Sequence, residues 1–266
     1  MPAVCVRDID VYYEEWGSRG AEPVLLIHGL GSSTEDWEAQ VDVLARDFNV
    51  VAYDVRGHGR TSKPRGRYTV RQFSDDAAAF VAELRLGPVH VVGLSMGGMI
   101  GFQLACDHPE LIRSLVIVNS GPEMILRTAR EKLGIIQRRL IVRLMGMRKM
   151  GEVLAERLLP GEEYTARRRV FAERWARNDK GAYLRALDAL VGWSVTERLP
   201  AMTSRTLVVT ADQDYTPVSW KAWYTSLMPN ASLVVIPDSR HMMPVQRPEA
   251  FHEALLAFLT APAARP

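Results

Sequence analysis

The chain has 266 residues, 47% hydrophobic and 24% charged, which is ordinary globular composition with enough apolar material for a sizeable core. A formal net charge of +2, with no basic run interleaved with aromatics, leaves nucleic acid without a footprint. The length suits one domain with room for an insertion, and the partner sought is therefore a small molecule.

The start, MPAVCVRDIDVYY, lacks a basic segment followed by a long apolar run, so no secretory signal is read and the cytoplasm is the default compartment. Cys5 falls in a strand-like stretch and Cys106 in a helix-like one; without metal-ligand or disulfide spacing, both are expected as buried thiols. VLLIHG comes next and runs into Gly29-Leu30-Gly31, followed by FNVVAYD, RGHGRTS and the helical pattern SDDAAAFVAELRL. VHVVGLS, SLVIVNS, RTLVVTAD and SLVVIPD complete a set of Val- and Ile-rich runs that are apolar almost throughout, as strands covered on both faces are. Helical patterns lie between several of them, and PEAFHEALLAFL follows the last. Such alternation predicts an α/β fold with a mostly parallel sheet and right-handed crossovers. VVGLSMGGMIGFQLA is uncharged, but its four glycines suit a turn and close packing, so no membrane span is expected.

The alternation stops after Ser120. Leu126, Ala129, Leu133, Ile136, Leu140, Leu144 and Met147 recur at helical spacing with Arg127, Arg130, Arg138, Arg139 and Arg143 between them, which predicts an amphipathic helix. Further helices are expected over Gly151 to Leu159, Tyr164 to Asn178 and Ala182 to Val191, with PGEE and NDKG as breakers. Strand character returns at Thr206. Residues 122–199 therefore read as an all-helical insertion into a core made of 1–121 and 200–266. Between Pro122 and Pro200 stand 17 basic and 10 acidic residues, against 16 and 21 elsewhere. That surplus is either solvated helix surface or a field that steers an anionic substrate. The terminal TAPAARP is expected to fray.

The motif that carries chemistry is Gly93-Leu94-Ser95-Met96-Gly97, a G-x-S-x-G between the strand VHVVG and the helix-like GMIGFQLACDHP. Alone the pattern is weak, and its context gives it meaning. A sharp strand-to-helix turn holds the serine in strained geometry, with glycines where a Cβ would clash, and presents Oγ above the sheet edge. The following helix aims free N–H groups and its positive dipole end at the place where an oxyanion would form. A catalytic acid should lie between the serine and the base in chain order, and TLVVTADQD supplies Asp212 and Asp214. No Rossmann fingerprint, P-loop, CxxC or HExxH is present, so no cofactor and no metal are implied.

In order, HGLG, DVRGHGRTS, GLSMGG, ADQD and SRH resemble the α/β-hydrolase superfamily over nearly the whole chain except the insertion. Within it, GLSMGGMIGFQLACDHPELIRSLVIVNS is most similar to bacterial enol-lactonases and small carboxylesterases, and also to perhydrolases and C–C bond hydrolases. The resemblance implies a serine hydrolase with Ser95 as nucleophile, His241 as base and Asp214 as the orienting acid, Asp212 matching a position that is often acidic but not catalytic. It implies Leu30 and Met96 as backbone oxyanion donors, His28 as a brace, His58 in a structural turn, and a helical cap over the pocket. Asn119, where some relatives carry the acid, has no charge to offer. Arg240 before the base and Tyr215 after the acid depart from the family pattern; Arg240 is expected to face solvent or a carboxylate. Trp37, Met124, Trp193 and Met242 are candidates for the substrate pocket, each weighed against plain core packing. The activity expected is cleavage of an ester or lactone; C–C hydrolysis, perhydrolysis, or a ligand receptor that kept the triad are the alternatives. Oligomeric state is not legible.

Overall fold

The structure, a computed structural model, describes residues 3–261; the tail on which fraying is expected lies, from 262 on, outside the described residues. Eight strands form one sheet: β1 (Ala3–Val6), β2 (Ile9–Trp16), β3 (Pro23–Ile27), β4 (Asn49–Tyr53), β5 (Val89–Leu94), β6 (Ile112–Val118), β7 (Thr206–Ala211) and β8 (Ala231–Ile236). Their order is β1-β2-β4-β3-β5-β6-β7-β8, antiparallel for β1 and β2 and parallel from there on. The helices are α1 (Glu38–Leu44), α2 (Val70–Glu83), α3 (Met96–Asp107), α4 (Ala129–Leu158), α5 (Thr165–Ala176), α6 (Lys180–Leu190), α7 (Val218–Ser226), α8 (Met243–Gln246) and α9 (Pro248–Leu259).

All six predicted apolar runs are the parallel strands, and β3 to β7 are buried almost throughout because helices cover both faces. Val91, Leu115 and Ile117 pack with Phe73 and Phe102 on one face; Val92, Val116 and Val209 pack with Trp37, Phe251 and Leu255 on the other. This doubly covered sheet belongs to the α/β-hydrolase architecture, with the helical insertion following β6. Cys5 does not bury its thiol: it faces out from the edge strand β1, and Cys106 is half-buried, both unpaired.

The insertion is helical as read, but its first helix faces the other way. Leu133, Ile136, Leu140 and Leu144 are exposed, whereas Ile135, Val142 and Met147 point inward. The stretch expected as a separate helix over Gly151 to Leu159 continues α4 across a kink at Gly146, whose φ is +83°. Thr128 caps α4 through a reciprocal pair with Glu131, which fixes where the helix starts. Lys180 and Gly181, read as breakers, lie inside α6 behind its N-cap Asp179, whose side chain accepts from Ala182 N–H. Among the described residues no helix is long and apolar enough to cross a membrane.

Candidate active site

Ser95 sits between β5 and α3 with φ +54° and ψ −113°, a backbone conformation that costs a non-glycine residue free energy and is kept only where its surroundings impose it. Those surroundings are explicit. A Cβ on Gly93 would stand 2.3 Å from the carbonyl oxygen of Gly97, and one on Gly97 would stand 2.0 Å from that of Ile27, so both ends of the turn press on backbone. Ser95 N–H donates to Val118 O at 2.9 Å, and the Ser120 hydroxyl donates to Ser95 O at 2.6 Å. Among the described residues, the N–H groups of Leu30 and Met96 meet no acceptor, and the Met96 side chain is buried beneath the turn.

The base loop arrives from β8. His241 Nδ1 lies 2.6 Å from Asp214 Oδ1, whereas Asp212 accepts from Ser239 N–H at 3.1 Å and braces the loop. The other oxygen of Asp214 receives Lys221 Nζ at 2.6 Å. Burial works to raise the Asp214 pKa, but the His241 imidazole and the Lys221 ammonium outweigh it and hold the carboxyl far below the usual range. The Tyr215 ring lies 4.3 Å from the His241 ring, tilted by 33°, and the Arg157 guanidinium stands 4.8 Å over the Tyr215 ring. Asn119 supplies the frame: its Nδ2 donates to His241 O at 2.9 Å and Arg240 O at 3.2 Å, while its Oδ1 accepts from Ala211 N–H at 2.8 Å. The Arg240 guanidinium makes no ion pair among the described residues, and the Arg240 backbone N–H donates to Gln246 Oε1 at 2.8 Å.

Ser95, Asp214, His241, Leu30, Met124 and Met242 line one cavity of about 700 Å³, roofed by α4 and α5. Ser95 and His241 both line this cavity, and among the described residues no hydrogen bond joins their side chains. Trp37 and Trp193 are not on its wall. Trp37 is buried in the core under α1, and Trp193 turns its indole N–H to Gln103 Oε1 at 2.7 Å. Its aromatic residues are Trp175 and Phe171 of the insertion, whose rings stack at 5.5 Å, with Tyr215 and Trp220 from the segment after β7. Arg138 and Arg157 reach the cavity from α4 without a carboxylate partner among the described residues; Arg138 bonds the Tyr183 hydroxyl instead. Asp36 lines the opposite wall, its carboxyl pushed up to about 6 by burial against a Ser32 hydrogen bond and the Arg174 charge.

The remaining histidines are structural. His28 is fully buried, donating from Nδ1 to Gly29 O at 2.7 Å and accepting from Val55 N–H at Nε2; burial lowers its pKa to about 4. His58 packs edge-on against it, with its pKa lowered by burial to about 3. Lys221 and Arg157 are site neighbours that sequence reading passed over. Lys221 had a signal: with Tyr224 and Thr225 it forms an i, i+3, i+4 face in an otherwise apolar helix, and that face is buried.

Residues 22–137 match the model of the α/β-hydrolase fold family. The chain is 32% identical over 276 aligned residues to a Caulobacter vibrioides protein named as a carbamate hydrolase, RutD, covering 97% of this chain and 99% of that one. It is 25% identical to 3-oxoadipate enol-lactonase 2 of Acinetobacter baylyi, covering 95% and 94%. The crystal structure of the enol-lactonase from Burkholderia xenovorans superposes with a TM-score of 0.91 at 24% identity, over 98% of this chain and 100% of that one.

Proposed function

Because the chain belongs to the α/β-hydrolase superfamily, we propose that it is a serine hydrolase cleaving an ester or lactone bond of a small, anionic molecule through an acyl-enzyme on Ser95. The hydrolase class itself follows from the relatives. The acyl-enzyme is supported by the pairing of His241 with Asp214 at 2.6 Å, in the cavity that also holds the strained Ser95, and the ester or lactone bond by the likeness to enol-lactonase 2 of Acinetobacter baylyi. His241 takes the Ser95 proton as Oγ attacks the carbonyl, and the N–H groups of Leu30 and Met96 receive the oxyanion. Collapse of the tetrahedral intermediate expels the alcohol, which takes its proton from His241; a water activated in the same way then releases the acid. Asp214 holds the tautomer in which Nε2 is free to accept.

In this reading, residues 122–199 form the cap and choose the substrate. The anionic class rests on Arg138 and Arg157, two guanidinium groups at the cavity without carboxylate partners, on a basic insertion. Replacing Ser95 with Ala should abolish both p-nitrophenyl ester turnover and fluorophosphonate labelling; turnover that survives would exclude the acyl-enzyme. Added salt should lower kcat/KM for carboxylate-bearing esters and leave neutral esters unchanged; equal response of both removes the anionic class. The relative named as a carbamate hydrolase favours a second reading, attack on a carbamate C–N bond by the same groups, so carbamates belong in the same screen.

A further inference from the structure

Lys221 takes no part in the steps above and does not reach the cavity, yet it touches the group that orients the base. It is fully buried on α7, with Nζ 2.6 Å from Asp214 Oδ2 and 3.0 Å from Thr210 Oγ1 at the end of β7. The Asp214 carboxylate is thus gripped from two sides, ammonium on Oδ2 and imidazole on Oδ1. Lysine is almost never fully buried, and a buried ion pair is seldom more stable than an apolar pair of the same volume. An ordinary core would have a methionine or leucine here.

We propose that Lys221 is a positioning residue for the hydrolytic reaction: it aims Asp214 Oδ1 at His241 and, by cancelling much of the carboxylate's charge, sets the acid limb of the enzyme's pH profile at a lower pH than Asp214 alone would. The inference rests on the reading of Ser95, Asp214 and His241 as a triad.

The electrostatics run in one direction. A lone buried carboxylate beside the imidazole stabilises imidazolium, the form that cannot accept the Ser95 proton. A cation on the far oxygen weakens that pull, and it also keeps Asp214 ionised against the cost of its burial. Removing the ammonium therefore leaves the carboxylate's full charge on the imidazole, which favours imidazolium and carries the acid limb upward. Asp36 across the cavity titrates alike in wild type and variants, and the other charged or titratable groups beside the cluster hold their state across the acid limb. Tyr224 on α7 is buried with its pKa raised by burial and by Asp214, so it stays neutral; Tyr215 covers the imidazole face as a phenol; Arg138 and Arg157 of the cap are permanently charged. Asn119 and Thr210, which close the cluster from β6 and β7, are uncharged.

The test compares wild type with Lys221→Met, which removes charge and donor, and Lys221→Gln, which keeps a donor for Oδ2 without the charge. The readout is kcat/KM for a neutral p-nitrophenyl ester from pH 4 to 9, as about the useful range for such groups. The acid limb should rise by about one pH unit or more in both variants, as expected for loss of an opposite charge in direct contact. Lys221→Gln should keep the high-pH plateau within about threefold, and Lys221→Met should lower kcat on the order of tenfold at unchanged KM. An unmoved limb overturns the proposal, whether or not the plateau falls, and reduces Lys221 to a strut between α7 and β7. If Lys221→Met does not fold, Lys221→Gln decides alone, with its melting curve as the check of folding. Activity that survives Ser95→Ala fails the triad reading; an inactive Ser95→Ala beside superimposable Lys221 profiles fails only this inference.

Discussion

On the sheet side of the cavity, each of the three groups is held by fixed contacts: Ser95 by a turn braced at Gly93 and Gly97, His241 by the Asn119 carboxamide on its carbonyl, Asp214 by the Lys221 and His241 side chains. On the cap side, Arg138 and Arg157 hang from one kinked helix and lean on rings instead of carboxylates. Strands β3 to β7 bury their apolar residues almost throughout, whereas α4 leaves Leu144 80% exposed. In the proposed reading, one cavity therefore combines a rigid reaction centre on one side with a recognition surface on the other, whose guanidinium groups have no carboxylate partner among the described residues. Chemistry needs fixed geometry; choice of substrate does not.

Substitutions on the two sides should divide accordingly, and the largest effect belongs to the sheet side. Asp214→Asn removes the partner that fixes the His241 tautomer and should lower kcat by roughly 10³–10⁴-fold with little change in KM, checked by steady-state kinetics. Near wild-type kcat would break the assignment of the acid. Leu115→Ala, fully buried in β6, should cost about 2–5 kcal/mol in denaturant unfolding. On the cap side, Arg157→Met should raise KM for a carboxylate-bearing ester by about tenfold and leave a neutral ester within about twofold, if the guanidinium meets the anion. An equal change for both substrates would mean that Arg157 acts through Tyr215 and His241 instead.

Asp36 sharpens the contrast through pH. Its carboxyl is neutral below about pH 6 and ionised above it, so KM for an anionic substrate should rise as pH climbs through 6. Asp36→Asn should flatten that rise, a change of about two- to threefold across the step. The smallest effect is expected for Leu144→Ser, which should move stability by less than about 0.5 kcal/mol because the side chain already meets water.

The same division explains what could be read from the chain. Strands covered on both faces leave continuous apolar runs, and β3 to β7 were legible for that reason; β8, at the sheet edge, kept an apolar run although most of it is only half-buried. The edge pair β1 and β2 is half exposed, and its mixed stretch IDVYYEEW gave no comparable signal. Periodicity placed a helix at the start of the insertion but not the face it turns inward, because Ile135, Ile141 and Val142 offer a second apolar stripe beside the longer one. The tryptophans show a related limit: Trp37 lies close in sequence to the Gly29-Leu30 loop, yet it points beneath that loop into the core, a direction that sequence distance does not encode. Met124 and Met242 do reach the cavity. Lys221 was passed over because its partner stands on a loop seven residues earlier, a pairing that exists only once α7 has packed against β7.

Asn119 links the chain near its middle to a loop some 120 residues later, and its amide also joins the neighbouring strand at Ala211. The imidazole thus takes its height above the sheet from a fixed point on β6 and not from the path that follows it. The segment beyond the base is held separately, by Gln246, which accepts from the Arg240 backbone N–H, and by Phe251 and Leu255, buried in the core. Lineages or directed-evolution libraries that vary only the exposed positions of this return leg should keep turnover as long as the amide at 119 and these anchors are retained.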